Sequence, residues 1–279
     1  MTSLRGGALA TATARHVLLL AAAALVLLPF VWMVVTSLKP PSEIFVDHIR
    51  WWPDKLYVVE NYTAAFTRAP LARFLMNGVI VTATIFLLQV LVALPAAYAL
   101  AKLRFLGRET LFALVLLCIL IPPHAVAVPV FLLLHKLGLL NSYAALILPW
   151  TISVFGIFLM RQFFMTVPND LIDAARMDGI SEFGIVWRVM LPTAIPALTA
   201  FGIFSVVAHW NDYFWPLIVI NDQSLFTPPL GVAHFRNDDA GTDFGPLMAA
   251  ATVTIAPLVV AFLFAQRRFI EGITLTGMK

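Results

Sequence analysis

The residues best equipped for chemistry in this chain fall in two places. The first is Asp170 to Pro192, DLIDAARMDGISEFGIVWRVMLP, which carries four acids (Asp170, Asp173, Asp178, Glu182) and two arginines (Arg176, Arg188) between long apolar stretches. The second is Trp210-Asn211-Asp212, where Asp212 is the one carboxylate placed clearly within an apolar stretch. An ionisable group inside a membrane segment is a functional candidate by default. No His/Glu or Ser/His grouping accompanies either place, so acid–base or nucleophilic catalysis has no visible machinery. His124 follows Pro122 and Pro123, and His209 neighbours Trp210; a lone histidine at either place reads as a packed or bridging side chain. Cys118 is the single cysteine, which excludes an internal disulfide or a cysteine metal site within one chain. No Gly-x-x-x-x-Gly-Lys-Ser/Thr phosphate loop and no Gly-Lys dipeptide occur, so the chain lacks the usual means of holding ATP.

The first stretch divides in two. Pro168 suits the first turn of a helix, and Asp170 and Asp173 suit the positive end of its dipole. Leu171, Ala174, Ala175 and Met177 give a small or apolar surface. Gly179 fits the position just past a helix end, where φ is often positive. Ser181 can cap a second helix, with Phe183, Val186, Trp187 and Met190 on its apolar face, before Pro192 ends it. Two short helices joined at Gly179 result. Ala174 and Ala175 are small enough to let such a helix enter a groove on another protein. The alternative is an amphipathic helix resting on lipid. That suits Phe183 and Trp187, whereas an anionic leaflet repels the acidic first half. Docking to a protein is therefore the preferred reading.

The elements that must carry these residues follow from composition. The 279 residues are 61% hydrophobic and 12% charged, with a mean hydropathy of +0.91. Soluble domains carry about 25% charged residues, so the chain reads as an integral membrane protein built of helices. The expected architecture is all-α, with six spans over about 17–35, 74–101, 111–134, 144–160, 195–220 and 245–265. A loop at 162–192, an N-terminal segment 1–16 and a tail 266–279 lie outside them. With the N-terminus inside, eleven of the 18 Lys and Arg residues fall on the inner side and seven on the outer. The positive-inside bias then puts both termini and the 162–192 loop in the cytoplasm. The net charge of +3 reflects these anchors and not a nucleic-acid partner. Prolines at depth, among them Pro29, Pro95, Pro122, Pro149, Pro216 and Pro257, mark kinks or hinges.

At Asp173-Ala174-Ala175, three residues, Gly179, nine residues, Val189-Met190-Leu191-Pro192, the sequence resembles the EAA motif of the membrane subunits of ABC importers. That pattern is Glu-Ala-Ala, three residues, Gly, nine residues, Ile-x-Leu-Pro; Asp stands here for Glu and Val for Ile. Further stretches are similar to the carbohydrate, maltose-transporter-like branch and to its smaller six-span subunit. They are SLKP (Ser37–Pro40), HWNDYFWPL (His209–Leu217), GTDFGPLMAAA (Gly241–Ala251) and QRRFIEGITLTGMK (Gln266–Lys279).

The resemblance implies a type I importer permease fold. It implies a coupling role for Asp173, Ala174, Ala175, Met177, Asp178, Gly179, Leu191 and Pro192 in a cleft of an ATP-binding subunit. It implies a second permease subunit, two ATP-binding subunits that hold the ATP and Mg, and an extracytoplasmic solute-binding protein, in a bacterial plasma (inner) membrane. The chain itself is then no enzyme and holds no cofactor. Trp210, Asn211 and Asp212 become candidates for a sugar path. The competing reading, favoured by the position of Asp212 toward the end of its span, is that they hold helices together. The 221–244 loop, with Pro228, Pro229, Asp238 and Asp239, either faces the binding protein or is an ordinary solvated loop. The rival class is an ion-gradient-driven secondary transporter. Such carriers show buried ionisable pairs and internal repeats, and this sequence shows one lone acid and no repeat.

Overall fold

The computed structural model describes residues 2–47, 50–233, 235 and 243–277, with side chains described for those between 12 and 266. Among them there is no strand. The helices are α1 (Thr2–Ser37), α2 (Val58–Thr67), α3 (Leu71–Lys102), α4 (Arg108–Ile119), α5 (Ala127–Lys136), α6 (Tyr143–Ile147) and α7 (Val154–Thr166). They continue with α8 (Asn169–Met177), α9 (Glu182–Ile185), α10 (Leu191–Thr193), α11 (Ile195–Trp210), α12 (Phe214–Val219), α13 (Pro228–Ala233) and α14 (Phe244–Gly277).

Three stretches are single helices long and apolar enough to cross a bilayer: Ala12–Ser37, Leu71–Lys102 and Phe244–Gln266. The stretches expected at 74–101 and 245–265 lie inside α3 and α14. The other three expected spans are broken. Over 111–134 the chain makes α4 and then a second arm, Pro123–Lys136, at 95° to it. Pro122 and Pro123 remove two successive backbone donors there, so the helix cannot run through. Over 144–160 the arms Tyr143–Trp150 and Val154–Thr166 meet at 40°, with Pro149 inside a 3-10 turn at Leu148–Trp150. Over 195–220 the helix stops at Trp210, and α12 restarts at Phe214. Upstream, Glu182–Thr193 meets α11 at 85°.

The chain forms two compact units. One comprises residues 1–69 and 234–253. Its fixed point is Lys39 of the SLKP stretch, whose side chain is buried. The ammonium donates to the Arg50 carbonyl and lies 4.5 Å from the centre of the Trp32 ring. Burial pushes its pKa below the usual lysine value. Asn61 Nδ2 donates to the carbonyls of Ser37 and Lys39, both at 2.9 Å, tying α2 to the end of α1. From Thr13 to Val31 the side chains of α1 stand exposed, as a helix surrounded by lipid tails can afford.

The other unit, residues 70–233 and 254–279, is organised on α3. The buried positions of α3 include Phe74, Asn77, Val81, Ile85, Gln89, Ala93, Ala97 and Leu100, a stripe of helical period that faces the interior. One core joins Leu94, Ala97 and Tyr98 of α3 to Met160 and Phe164 of α7, and to Ile172, Ala175, Ile185, Val186 and Met190 of the connecting segment. The early part of the stretch after α12 is firmly held. Asn77 Nδ2 donates to the carbonyls of Ser224 and Phe226 at 2.9 Å, and Tyr143 OH donates to Asn77 Oδ1 at 2.6 Å. Asp238 and Asp239 lie outside the described residues, as do the side chains of the C-terminal motif from Arg267 onward.

Candidate functional site: the two short helices α8 and α9

Residues 169–193 fold as two short helices turned at Gly179. Helix α8 ends through two capping bonds, Gly179 N to Arg176 O and Ile180 N to Ala175 O, each 3.0 Å. These satisfy carbonyls that a helix end leaves orphaned. Gly179 has φ +76°, and a Cβ there would meet nothing within 4 Å. Glycine is therefore required by backbone conformation and not by space. Ser181 caps α9, accepting from Gly184 N at 3.2 Å. From Val186 to Met190 the backbone widens into a π turn.

The turn is braced by charge. Arg176 Nε donates to Glu182 Oε1 at 2.7 Å and its Nη2 to Oε2 at 3.3 Å, while Nη1 reaches Asp173 Oδ1 at 3.0 Å. Tyr98 of α3 donates its hydroxyl to Glu182 Oε2 at 2.5 Å. The guanidinium, first, and the phenol, second, hold the Glu182 carboxyl below the usual carboxylate range. Lys102, at the end of α3, donates to the Val167 carbonyl at 2.6 Å and to Asn169 Oδ1 at 2.9 Å. A polar recess lined by Lys102, Arg104, Asn169, Asp173 and Arg176 lies beside α8.

The predicted residues separate by face. Asp173, Ala174, Met177, Asp178 and Gly179 are exposed, Met177 at 89%. With half-exposed Leu171 they leave a helix face uncovered. Ala175 does the opposite. It is 5% exposed and belongs to the core formed with α3 and α7. Its small side chain lets α8 sit close to its own chain, so only Ala174 of the pair is free to enter a groove elsewhere. Leu191 is partly buried on the same core, and Pro192 is exposed at the start of α10.

The second predicted cluster is distributed among internal partners. Trp210 is buried and donates Nε1–H to the Thr254 carbonyl of α14 at 3.1 Å. Asn211 is exposed and closes α11, donating from Nδ2 to Val207 O at 2.9 Å. Asp212 accepts from Trp215 N at 3.2 Å and so caps α12. Nearby is a polar group that sequence reading missed. Gln89 Nε2 donates to Trp150 O at 2.8 Å and lies 3.2 Å from His209 Nε2, while Ser205 Oγ donates to Gln89 Oε1 at 2.6 Å. A small cavity borders it, lined in part by Trp150, His209, Asp212 and Trp215. The signal was available, since a glutamine in an apolar span needs a partner inside the protein. Arg161, counted among the eleven inner-side basic residues, has internal partners that the sequence did not indicate. Buried in α7, it donates Nε–H to the Leu100 carbonyl at 3.2 Å and stacks 3.6 Å from the centre of the Phe112 ring.

Among solved structures, a bacterial ABC transporter involved in the import of the acidic polysaccharide alginate has a chain that superposes with a TM-score of 0.82. The match covers 92% of this chain and 95% of that one at 22% identity, which establishes the fold. The arabinooligosaccharides transport system permease protein AraQ of Halalkalibacterium halodurans is 36% identical over 253 residues, 90% of each chain. The diacetylchitobiose uptake system permease protein NgcG of Streptomyces coelicolor is 31% identical over 268 residues, 93% of this chain and 86% of that one. Residues 89–274 match the model of the binding-protein-dependent transport system inner membrane component family, and the chain belongs to that family.

Proposed function

We propose that the chain is the smaller permease subunit of an ATP-driven importer for a sugar or sugar-like solute, with α8 as the element that receives the drive. The observation that carries the reading is the uncovered face of α8, Leu171, Ala174 and Met177 between Asp173 and Asp178, on a helix braced against its own bundle. An exposed face on a rigid mount is what docking to another protein requires.

In this reading a pair of ATP-binding subunits binds ATP and Mg, and one of them takes α8 into a cleft. A second permease subunit completes the path, and an extracytoplasmic binding protein delivers the solute. Closure of the ATP-binding pair pushes α8, and the permease alternates between outward- and inward-open states as rigid bodies. Both termini and the 162–192 loop face the cytoplasm, on the strength of the charge bias. The solute class rests on relatives named for arabinooligosaccharide and diacetylchitobiose transport. Trp210 and Asp212 serve in this scheme as the frame of the path, each already engaged by α14 or α12.

The test is reconstitution with and without the ATP-binding subunits. Uptake is expected only with them and only with ATP. Uptake by this chain alone, driven by a proton or sodium gradient, would favour a secondary transporter instead.

A further inference from the structure

We propose that Tyr98, Glu182 and Arg176 form a latch that carries the movement of the docking element into the bundle through α3. The proposal deepens the docking role of α8 and rests on it.

Three helices meet at one carboxylate. Glu182, at the start of α9, accepts from Arg176 of α8 and from Tyr98 of α3. The pair Tyr98 and Glu182 is 84 residues apart in sequence. The Tyr98 ring is 2% exposed inside the core that α3 shares with α7, α8 and α9. A phenylalanine would fill that space equally well, so the hydroxyl contributes one thing, a directed bond to Glu182. Apolar contact between Ile172, Ala175, Ile185 and α3 holds the docking element down but is non-directional and permits sliding. A short bond to a charged acceptor fixes distance and angle. Arg176, anchored at Asp173 and Glu182 together, makes the turn at Gly179 a single body. Lys102 adds a second tie one helical turn further along α3.

The covalent route out of the element is a poor transmitter by comparison. Between α10 and α11 the axis turns 85°. At that corner the Ala194 amide is shared between the carbonyls of Met190 and Leu191, at 3.0 and 3.1 Å. A push on α8 and α9 thus bends the corner, whereas the latch moves α3 directly. Helix α3 also carries Gln89, which holds Trp150, Ser205 and His209 together deeper in the bundle. Tyr98 and Glu182 are on this account positioning residues, since neither touches solute or ATP.

The experiment uses the complete transporter in proteoliposomes with its binding protein, and compares Tyr98→Phe, Glu182→Gln and the double variant. Each is scored for recovery of the ATP-binding subunits on purification and for solute taken up per ATP hydrolysed. Assembly is expected to match wild type, while uptake per ATP falls on the order of tenfold, the scale of losing one hydrogen bond to a charged group. The double variant is expected to fall short of the sum of the two losses, because both single variants act on the same Tyr98–Glu182 bond. Wild-type uptake per ATP in Tyr98→Phe would overturn the latch, as would additive losses. If Glu182→Gln fails to assemble, the comparison stands on Tyr98→Phe, whose ring keeps the core filled. A control at Ala174→Arg separates the two claims. Unaltered assembly and uptake there would remove the docking role itself, whereas loss there with wild-type behaviour at Tyr98→Phe would remove only the latch.

Discussion

At the scale of single residues, the segment of α8 and α9 separates side chains that face outward from those that face its own core. Ala174 and Ala175 are neighbours with opposite duties. Ala174→Arg places a long cation on the exposed face of α8, so the chain is expected to fold normally, with loss of ATP-binding subunits on co-purification. Ala175→Arg forces a charge into the core around Tyr98 and Phe164. It is expected to destabilise by several kcal/mol, through overpacking and an unpaired buried charge, and to show as poor yield in detergent. Gly179 gives a graded pair. Gly179→Ala meets open space and bears only the backbone cost of φ +76°, about 1 kcal/mol. Gly179→Pro also fixes φ near −65° and deletes the amide that closes on Arg176; thermal unfolding monitored on both should rank them in that order. Glu182 makes the turn pH-sensitive. Its folded pKa lies below the ordinary 4.5 because Arg176 and Tyr98 stabilise the charged form. The contribution is therefore complete above that ordinary value and is lost as pH falls through the depressed one. The protection factors of the amides of 176–182, taken relative to their intrinsic exchange at each pH, are expected to fall on acidification in that window, and Glu182→Gln should abolish the dependence.

At the scale of elements, what was legible depended on the range of the interaction. The turn at Gly179, the cap at Ser181 and the stop near Pro192 are local, and the sequence states each with its own residue type. The same local chemistry foretold kinks at Pro122 and Pro149 but not their size, because 95° and 40° are set by what each arm packs against. The inward orientation of Ala175 was not legible, since the spacing that identifies a docking helix says nothing of which face its own bundle covers. The Tyr98–Glu182 bond spans 84 residues and leaves no mark in either local sequence. The interior position of α3 could have been read at Asn77 and Gln89, polar residues within an apolar helix that need partners inside the protein. The segment after α12 shows the same limit. Its two prolines looked like loop punctuation, yet Pro228 opens α13, which lies against α3 with glycines at the closest approaches. A Cβ on Gly231 would fall 2.1 Å from Phe74, a side chain too buried to move aside. Gly231→Ala is expected to cost about 1–3 kcal/mol, and Phe74→Leu in the same chain should return part of it, read as the melting temperature in detergent.

At the scale of the whole molecule, the proposed docking role of α8 makes a demand on the sidedness of the chain in the membrane. ATP is cytoplasmic, so α8 can receive a push only if the 162–192 loop lies inside. The eleven-to-seven distribution of Lys and Arg favours that orientation, and the two sides can be separated with a single thiol. Cys118, the only cysteine, is exposed on α4, so Cys118→Ser gives a silent background. Met177→Cys then reports the docking face and Asn221→Cys the connection after α12, both at exposed positions. In intact cells a membrane-impermeant maleimide is expected to label Asn221→Cys and leave Met177→Cys unmodified until the membrane is opened. With the ATP-binding subunits co-expressed, Met177→Cys should stay protected even then, because the docked cleft covers it. Labelling of Met177→Cys from outside would invert the chain, and no cytoplasmic ATPase could then reach α8. Free labelling in opened membranes, despite bound ATP-binding subunits, would keep the orientation but move the docking site off this face.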